Sequence, residues 1–479
     1  MSLPAHKTKI VATIGPASQA RATMEQLMRA GMNVARLNFS HGDFTRHARV
    51  IDDLRAAARA TGHTIAIMAD LPGPKMRVGM LATEPVTLRT GDAFTLTTDD
   101  VVGDATRVAV TYARLPQVVR PGDTLFLNDG LVRLAVTSVE GTDVRCRVTA
   151  GGELSSRKGL NLPGIDLGTS AFTERDREIL AFALARGVDV VSQSFVDSAA
   201  DVAAVRAAAA ALGQQPLVIA KIERARALER IDDILAAADG IMIARGDLGV
   251  EVPIERIAVL QKELVRKAVR LGKPVVTATQ MLESMTHSPQ PTRAEVTDVA
   301  NAILDGTDGV MLSAESAVGR YPVEAVATLA RVAAATEPHR SRFDILEALK
   351  GWRRGGEVSL RDLVSLSVET VLECEQAAVV LVPTRSGATP RSIARFRLPV
   401  WIAAFCADEA MCRQLQLSYG VHPLHAPEDA SDWAVRCREW VRAEALAARL
   451  AVLIQGPSPR RPGANHRIDL IELGREPRS

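Results

Sequence analysis

In the run LVIAKIE, Lys221 and Glu223 stand two residues apart, and a second acid, Asp247, follows the apolar stretch GIMIAR. Two residues apart on a strand, side chains share one face, so an ammonium and a carboxylate would project together. With Asp247 from the next strand, the set offers two carboxylates to a hard divalent cation that completes its shell with water and substrate oxygens. A lysine facing the same centre suits phosphoryl transfer, which asks a protein mainly for position and charge stabilisation. A buried structural ion pair would leave the same pattern at 221 and 223. Gly246 opens a turn into a short helical stretch, where the N–H groups of Gly246 and Asp247 could grip a carboxylate or phosphate, although a glycine alone only permits the turn.

Cations collect at other strand ends. Arg36 closes NVARLN, Lys75 and Arg77 follow Asp70 in MADLPGPKMRVG, and Lys158 sits in SSRKGLNLPG. An arginine at a strand end is often a rim residue with its stem on apolar surface. Together with Lys221, however, Arg36, Arg77 and Lys158 form a cluster that would repel itself unless an anion such as a polyphosphate filled it.

The elements that must position these groups read as eight short apolar runs: IVATIG, NVARLN, TIAIMA, VDVVSQSF, LVIAKIE, GIMIAR, PVVTAT and GVMLSAE. Amphipathic patterns such as ATMEQLMRAG, TERDREILAFALARG and PTRAEVTDVANAILDG fall between most of them, which is the form of a (β/α)8 barrel. Its catalytic mouth lies at the strand ends, where Asn38, Ser40, His41, Asp70, Gln193, Ser194, Arg245, Thr279, Ser313 and Glu315 also fall. The barrel is expected over 1–72 and 167–340. Residues 73–166 lose helical periodicity and read as turn-separated strands, an inserted small β-barrel domain with both hinges on the rim, hence a lid. Residues 345–479, which hold all four tryptophans, read as a C-terminal open α/β domain.

Totals exclude several classes. A net charge of +2 across 479 residues leaves no electrostatic footprint for nucleic acid. No run approaches the roughly 18 apolar residues of a membrane span, and the opening MSLPAHKTKI lacks a signal-peptide core. Five cysteines with no CxxC pair point to reduced thiols, and the cytoplasm is the expected compartment.

The runs KTKIVATIGPAS, NVARLNFSHG, KGLNLPG, IAKIE, GIMIARGDLGVEVP, KPVVTATQMLESM and PTRAEVTDVANAILDGTDGVMLSAESAVGRYP resemble pyruvate kinases, in family order and over essentially the whole chain. The resemblance implies transfer of the phosphoryl group of phosphoenolpyruvate to ADP in glycolysis, and a barrel, lid and C-terminal domain. It implies Glu223 and Asp247 as ligands of Mg2+, or Mn2+ in its place. Gly246, Asp247 and Thr279 look like the grip on the substrate carboxylate, and Thr279 lies near the protonation of the enolate. Lys221 looks like the cation that stabilises the group in transfer, and Arg36 like a phosphate holder. Asn38, His41, Arg77 and Lys158 would face the nucleotide.

Many pyruvate kinases bind potassium and carry a glutamate where this chain has Lys75 and a threonine where it has Leu71. An ammonium at Lys75 could supply the missing charge, since unit charges about 4 Å apart interact by about 4 kcal/mol at an effective dielectric near 20. Activity without K+ is therefore expected, with Asn38, Ser40 and Asp70 freed for other roles. A further departure, Arg226, lies beyond the reacting groups.

In the C-terminal domain VPTRSGATPRS resembles the loop that holds a phosphate of an allosteric effector, naming Thr384, Arg385, Ser386, Gly387 and Thr389. An ordinary capped helix start would look similar. GPSPRRPGANHR is a looser second candidate. The resemblance implies a homotetramer. Two other classes fit parts of the pattern: a magnesium-dependent pyruvate or enolate lyase or aldolase, and an inactive metabolite sensor. Formation of ATP from phosphoenolpyruvate and ADP separates them.

Overall fold

A computed structural model describes residues 3–340, 359–426, 432–446, 449–456 and 465–473. Trp352 and most of the loop GPSPRRPGANHR lie outside the described residues.

Eight strands form a closed barrel: β1 (Lys9–Thr13), β2 (Met32–Asn38), β3 (Ala66–Leu71), β4 (Val190–Gln193), β5 (Leu217–Ile222), β6 (Gly240–Ala244), β7 (Val275–Ala278) and β8 (Gly309–Leu312). All neighbours run parallel, and β1 closes the ring on β8 with Lys9 opposite Gly309. Strands covered on both faces need near-continuous apolar runs, which is how KIVAT and GIMIA read. Side-chain alternation then carries the interior up to the mouth. Val34, Met68, Val190 and Ile219 pack together inside the barrel, and two residues further along the same faces stand Arg36, Asp70, Ser192 and Lys221.

The surrounding helices start and stop on local signals. Thr173 and Asp176 form a capping box for the helix Glu174–Ala185, Thr292 and Glu295 another for Arg293–Asp305, and Gly306 ends the latter at φ 102°. Asp176 has a second duty, because its Oδ1 accepts a hydrogen bond from Gly73 N at 3.0 Å at the lid's departure. A Cβ placed on Gly73 would lie 3.4 Å from the Ala171 carbonyl, so the chain leaves and re-enters the barrel at nearly one point.

The lid is a six-stranded sheet in the order Leu160–Asn161, Thr124–Leu127, Val132–Glu140, Asp143–Ala150, Ala93–Thr97, Arg107–Ala109, with a two-stranded sheet of Val86–Leu88 and Gly152–Leu154 beside it. The sequence points to a small β-barrel here; the sheet is an open half-barrel, since its two edge strands are only two and three residues long and do not pair with each other. Its own core, including Phe94, Leu96, Leu125 and Val144, is fully buried.

In the C-terminal domain five strands lie in the order Val421–His425, Trp401–Cys406, Ala377–Thr384, Leu450–Gln455, Arg467–Glu472, the last antiparallel. The edge strand Val421–His425 is hidden in the sequence by Pro423, which an edge tolerates because one side of the strand needs no partner. The helical pattern over AVRCREWVRAEALAARL ends early, at Ala443, before Ala445 turns to φ 51°.

Candidate active site at the barrel mouth

The carboxyl ends of β2, β3, β4 and β5 converge on Asp70. Arg36 donates to Asp70 Oδ2 through Nε at 3.0 Å and through Nη2, and its Nη1 donates to Thr13 Oγ1 at 2.8 Å. Ser192 Oγ donates to Asp70 Oδ1 at 2.6 Å, and Lys221 Nζ lies 3.4 Å from the same oxygen. Burial by itself would raise the Asp70 pKa. Arg36 first and Lys221 next outweigh it, with the Ser192 hydrogen bond helping, and bring it to about 2.

Lys221 lies at the centre. Its Nζ donates to Ser194 Oγ at 2.7 Å and pairs with Glu223 Oε1 at 2.8 Å. Burial opposes the charge, but Asp70 and Glu223 hold the pKa above its ordinary value, so the group is a fixed ammonium rather than a base. Glu223 is 2% exposed and its Oε2 accepts from Phe195 N at 2.6 Å; Phe195 adopts a left-handed φ of 56° to present that N–H. Positive φ at a bulky residue costs free energy and is retained where a site demands it.

Asp247 enters from the first turn of the helix Arg245–Glu251, directly after β6. Its pKa is raised to about 6, first by burial and next by the negative charge of Glu223, with Lys221 and Lys75 pulling the other way. Two carboxylates, with Asp247 pushed toward its protonated form beside Glu223, at a mouth lined with cations make a donor set that fits a hard divalent ion, which would relieve the repulsion on Asp247 and leave room for water and substrate oxygens. Beside them Gly246 N donates to Thr279 Oγ1 at 2.8 Å. Thr279 is itself held at φ 72°, its carbonyl accepting from Arg245 Nη2 at 2.7 Å while Arg245 pairs with Asp298 at 2.7 Å.

The remaining cations stand on the lid side. Burial lowers the pKa of Lys75, and the charges of Lys221 and Arg77 add to this, while Asp70 and Asp247 resist it. His41 is lowered by burial and by Lys75, Arg77 and Arg36 in turn. Lys75, Arg77 and His41 therefore share one electrostatic neighbourhood with Arg36 and Lys221. Asn38 is partly absorbed locally, its Oδ1 accepting from Ser40 N at 3.1 Å. Lys158 is exposed; its carbonyl accepts from Val78 N at 2.9 Å, next to the bridge between Arg77 and Gly159.

The residues of VPTRSGATPRS lie apart from this mouth, at the end of the central strand of the C-terminal sheet. Thr384 Oγ1 accepts from Gly387 N at 3.0 Å, Ser386 Oγ accepts from Ala388 N at 3.4 Å, and Gly387 sits at φ 69°. Arg385 and Ser386 are exposed and Thr389 half-buried.

The matches to known proteins cover the same ground. A model described as pyruvate kinase, barrel domain, matches residues 5–326, and one described as pyruvate kinase, alpha/beta domain, matches 362–465. The chain belongs to the pyruvate kinase family. A pyruvate kinase of Thermococcus litoralis is 48% identical over 434 residues, 90% of this chain and 91% of its own length. One from Geobacillus stearothermophilus is 44% identical, covering 88% of this chain and 72% of its own. The crystal structure of a pyruvate kinase from Cryptosporidium parvum superposes with a TM-score of 0.90 at 34% identity, over 98% of this chain and 96% of that one. Among the described residues no helix is long and apolar enough to cross a membrane.

Sequence reasoning placed Asp70 at a strand end but missed its position as the common partner of Arg36, Ser192 and Lys221. Ser194 stood among the mouth residues already, and Ser192 could have been found with it, since the two alternate in VVSQSF on the inward face. Asp129, a lid residue whose charge reaches Asp247, carried no signal at all.

Proposed function

We propose that the protein transfers the phosphoryl group of phosphoenolpyruvate to ADP, giving ATP and pyruvate. The observation that carries the reading is Lys221, an ammonium fixed 2.8 Å from Glu223 and facing Asp247 at the barrel mouth. Arg36, already aligned by Asp70, and Lys221 would hold the phosphoryl group. The N–H groups of Gly246 and Asp247 and the Thr279 hydroxyl would grip the substrate carboxylate in place of the present Gly246–Thr279 hydrogen bond. As the bond from phosphorus to the enol oxygen breaks and the bond to a β-phosphate oxygen of ADP forms, Lys221 stabilises charge on the transferring group and on the enolate. The enolate carbon then takes a proton from water beside Thr279. Glu223 and Asp247 would hold Mg2+, or Mn2+, which when bound neutralises phosphate charge.

Asn38, His41, Arg77 and Lys158 are assigned to the nucleotide, and lid closure excludes water from the exchange. The electrostatic coupling of Lys75 to Asp70 and Asp247 supports a role as the resident replacement for K+. We further assign Thr384, Arg385, Ser386, Gly387 and Thr389 to a phosphorylated effector, the working assembly to a homotetramer, and the compartment to the cytoplasm, in keeping with five free cysteines.

A coupled assay of ATP formation in potassium-free buffer with magnesium tests the core of this. Full turnover without K+, loss on chelation, and a new K+ requirement in Lys75→Glu are expected. Near-complete K+ dependence of the unaltered enzyme would overturn the assignment of Lys75, and no ATP under any condition would overturn the reaction.

A further inference from the structure

The lid's return to the barrel is fastened by charged groups that the transfer itself does not use. Arg224 and Arg226 follow Glu223 at the exit of β5. Arg224 Nη2 donates to the Ile165 carbonyl at 2.6 Å, and Arg226 Nη2 pairs with the Asp166 carboxylate at 2.9 Å. From the lid's own side, the Tyr112 hydroxyl donates to the Leu167 carbonyl at 2.5 Å and Arg114 Nη1 to the Gly168 carbonyl at 2.6 Å. The segment 165–168 is thus held by the barrel at its first half and by the lid at its second.

The two halves of the Arg226–Asp166 pair are not equivalent. Arg226 is 16% exposed and Asp166 64%. Arg226 Nε also pairs with Asp197 at 3.2 Å in the loop after β4, and Arg230 shares that aspartate at 3.5 Å. The guanidinium therefore belongs to the barrel, and the carboxylate is the part free to leave. A further tie runs through Glu251, at the far end of the helix Arg245–Glu251 whose first turn carries Gly246 and Asp247: it accepts from Ala225 N at 3.2 Å and from Gly164 N. The strand end bearing Lys221 and Glu223 and the helix bearing Asp247 are each joined to the same hinge.

We propose that Arg226 is a positioning residue that latches the lid: its ion pair with Asp166 biases the return hinge toward the barrel and so keeps the Arg77–Lys158 side of the lid over the mouth. The importance of closure rests on the phosphotransfer reading; the latch itself does not. An exposed pair can shift such an equilibrium only modestly, by about two- to fivefold.

The experiment compares Arg226→Gln, Asp166→Asn and the double variant in the full chain. Asp166→Asn keeps the side-chain oxygen that accepts from Gly168 N at 2.8 Å, so the local turn survives. Amide exchange should quicken in 73–79 and 160–168 in each variant. The KM for ADP should rise about two- to fivefold with kcat nearly unchanged, the double variant should be no worse than either single one, and Arg226→Lys should restore most of the loss. Unchanged exchange with unchanged KM, or additive losses in the double variant, would overturn the latch; a purely structural role would lower thermal stability without moving KM. If Arg226→Gln does not fold, Asp166→Asn alone decides, because its carboxylate is largely in solvent. Should the chain form no ATP, the exchange measurements still decide the latch and only the reaction is refuted.

Discussion

At the scale of single residues, the arrangement around Lys221 trades stability for charge placement. Replacing it with methionine would leave Glu223 and Asp70 without their shared cation, although Arg36 still holds Asp70 and Phe195 N still holds Glu223. Removing one partner from a buried ion pair is destabilising, on the order of 3 kcal/mol. Transition-state charge stabilisation would vanish with it, so Lys221→Met should lose about a thousandfold or more in kcat while remaining folded at low temperature. Steady-state turnover alongside a thermal melt checks both parts, and a variant with more than a tenth of normal kcat would remove Lys221 from the mechanism. The residue pair 221 and 223 was legible because a charged pair at strand spacing inside an apolar run has few uses. The partners supplied by Ser194 and Asp70 were only half legible, for a sequence shows which face a residue occupies but not which other strand end leans toward it. Asp129 illustrates the limit: it reaches the site from the lid, across a sheet whose path no local pattern reports.

At the scale of elements, the barrel separates chemistry from stability along its own axis, with the site at the carboxyl ends of the strands. Gly240 opens β6 at the opposite end, where a Cβ would sit 2.4 Å from the Pro274 carbonyl oxygen and 2.9 Å from Ile219 Cδ1. The nearest obstruction is a backbone carbonyl and cannot rotate away. Gly240→Ala should therefore lower unfolding free energy by about 1–3 kcal/mol with kcat per folded molecule unchanged. Denaturant unfolding paired with active-site titration measures this, and a stability equal to the parent's would show that β6 and β7 can part at that end. The eight strands were readable because each is buried on both faces. Of the lid's edge strands, Arg107–Ala109 was readable within TRVAV, but Leu160–Asn161 was not, since two residues carry no alternation, and the edge strand Val421–His425 was masked by its proline.

For the whole molecule, the joint between barrel and C-terminal domain is built around β1 and the strand Trp401–Cys406. Lys9 Nζ donates to the Val421 carbonyl at 2.7 Å and lies 5.4 Å from the Trp401 ring centre. Next to them, His422 packs edge-on to Trp401 with ring centres 6.0 Å apart, and burial, reinforced by the charge of Lys9, lowers its pKa to about 4. Because the folded protein favours the neutral ring, the unfolded chain binds more protons between about pH 4 and 6.5. Stability from this group is complete above pH 6.5 and falls as pH drops toward 4, by up to about 3 kcal/mol for a fully buried ring and less here, where some solvent contact remains. Melting temperature should decline over that window in the parent and decline less in His422→Gln; equal slopes in the two proteins would remove His422 as the cause. A different consequence follows from the meeting of Gly73 and Ala171 at the base of the lid. Since the helix Glu174–Ala185 still supplies the crossover between the parallel neighbours β3 and β4, the segment between Gly73 and Ala171 alone forms a detachable module. Cutting it out and splicing the ends with a residue or two would yield a bare, lidless ring that still folds, a scaffold on which a foreign cover could be grafted.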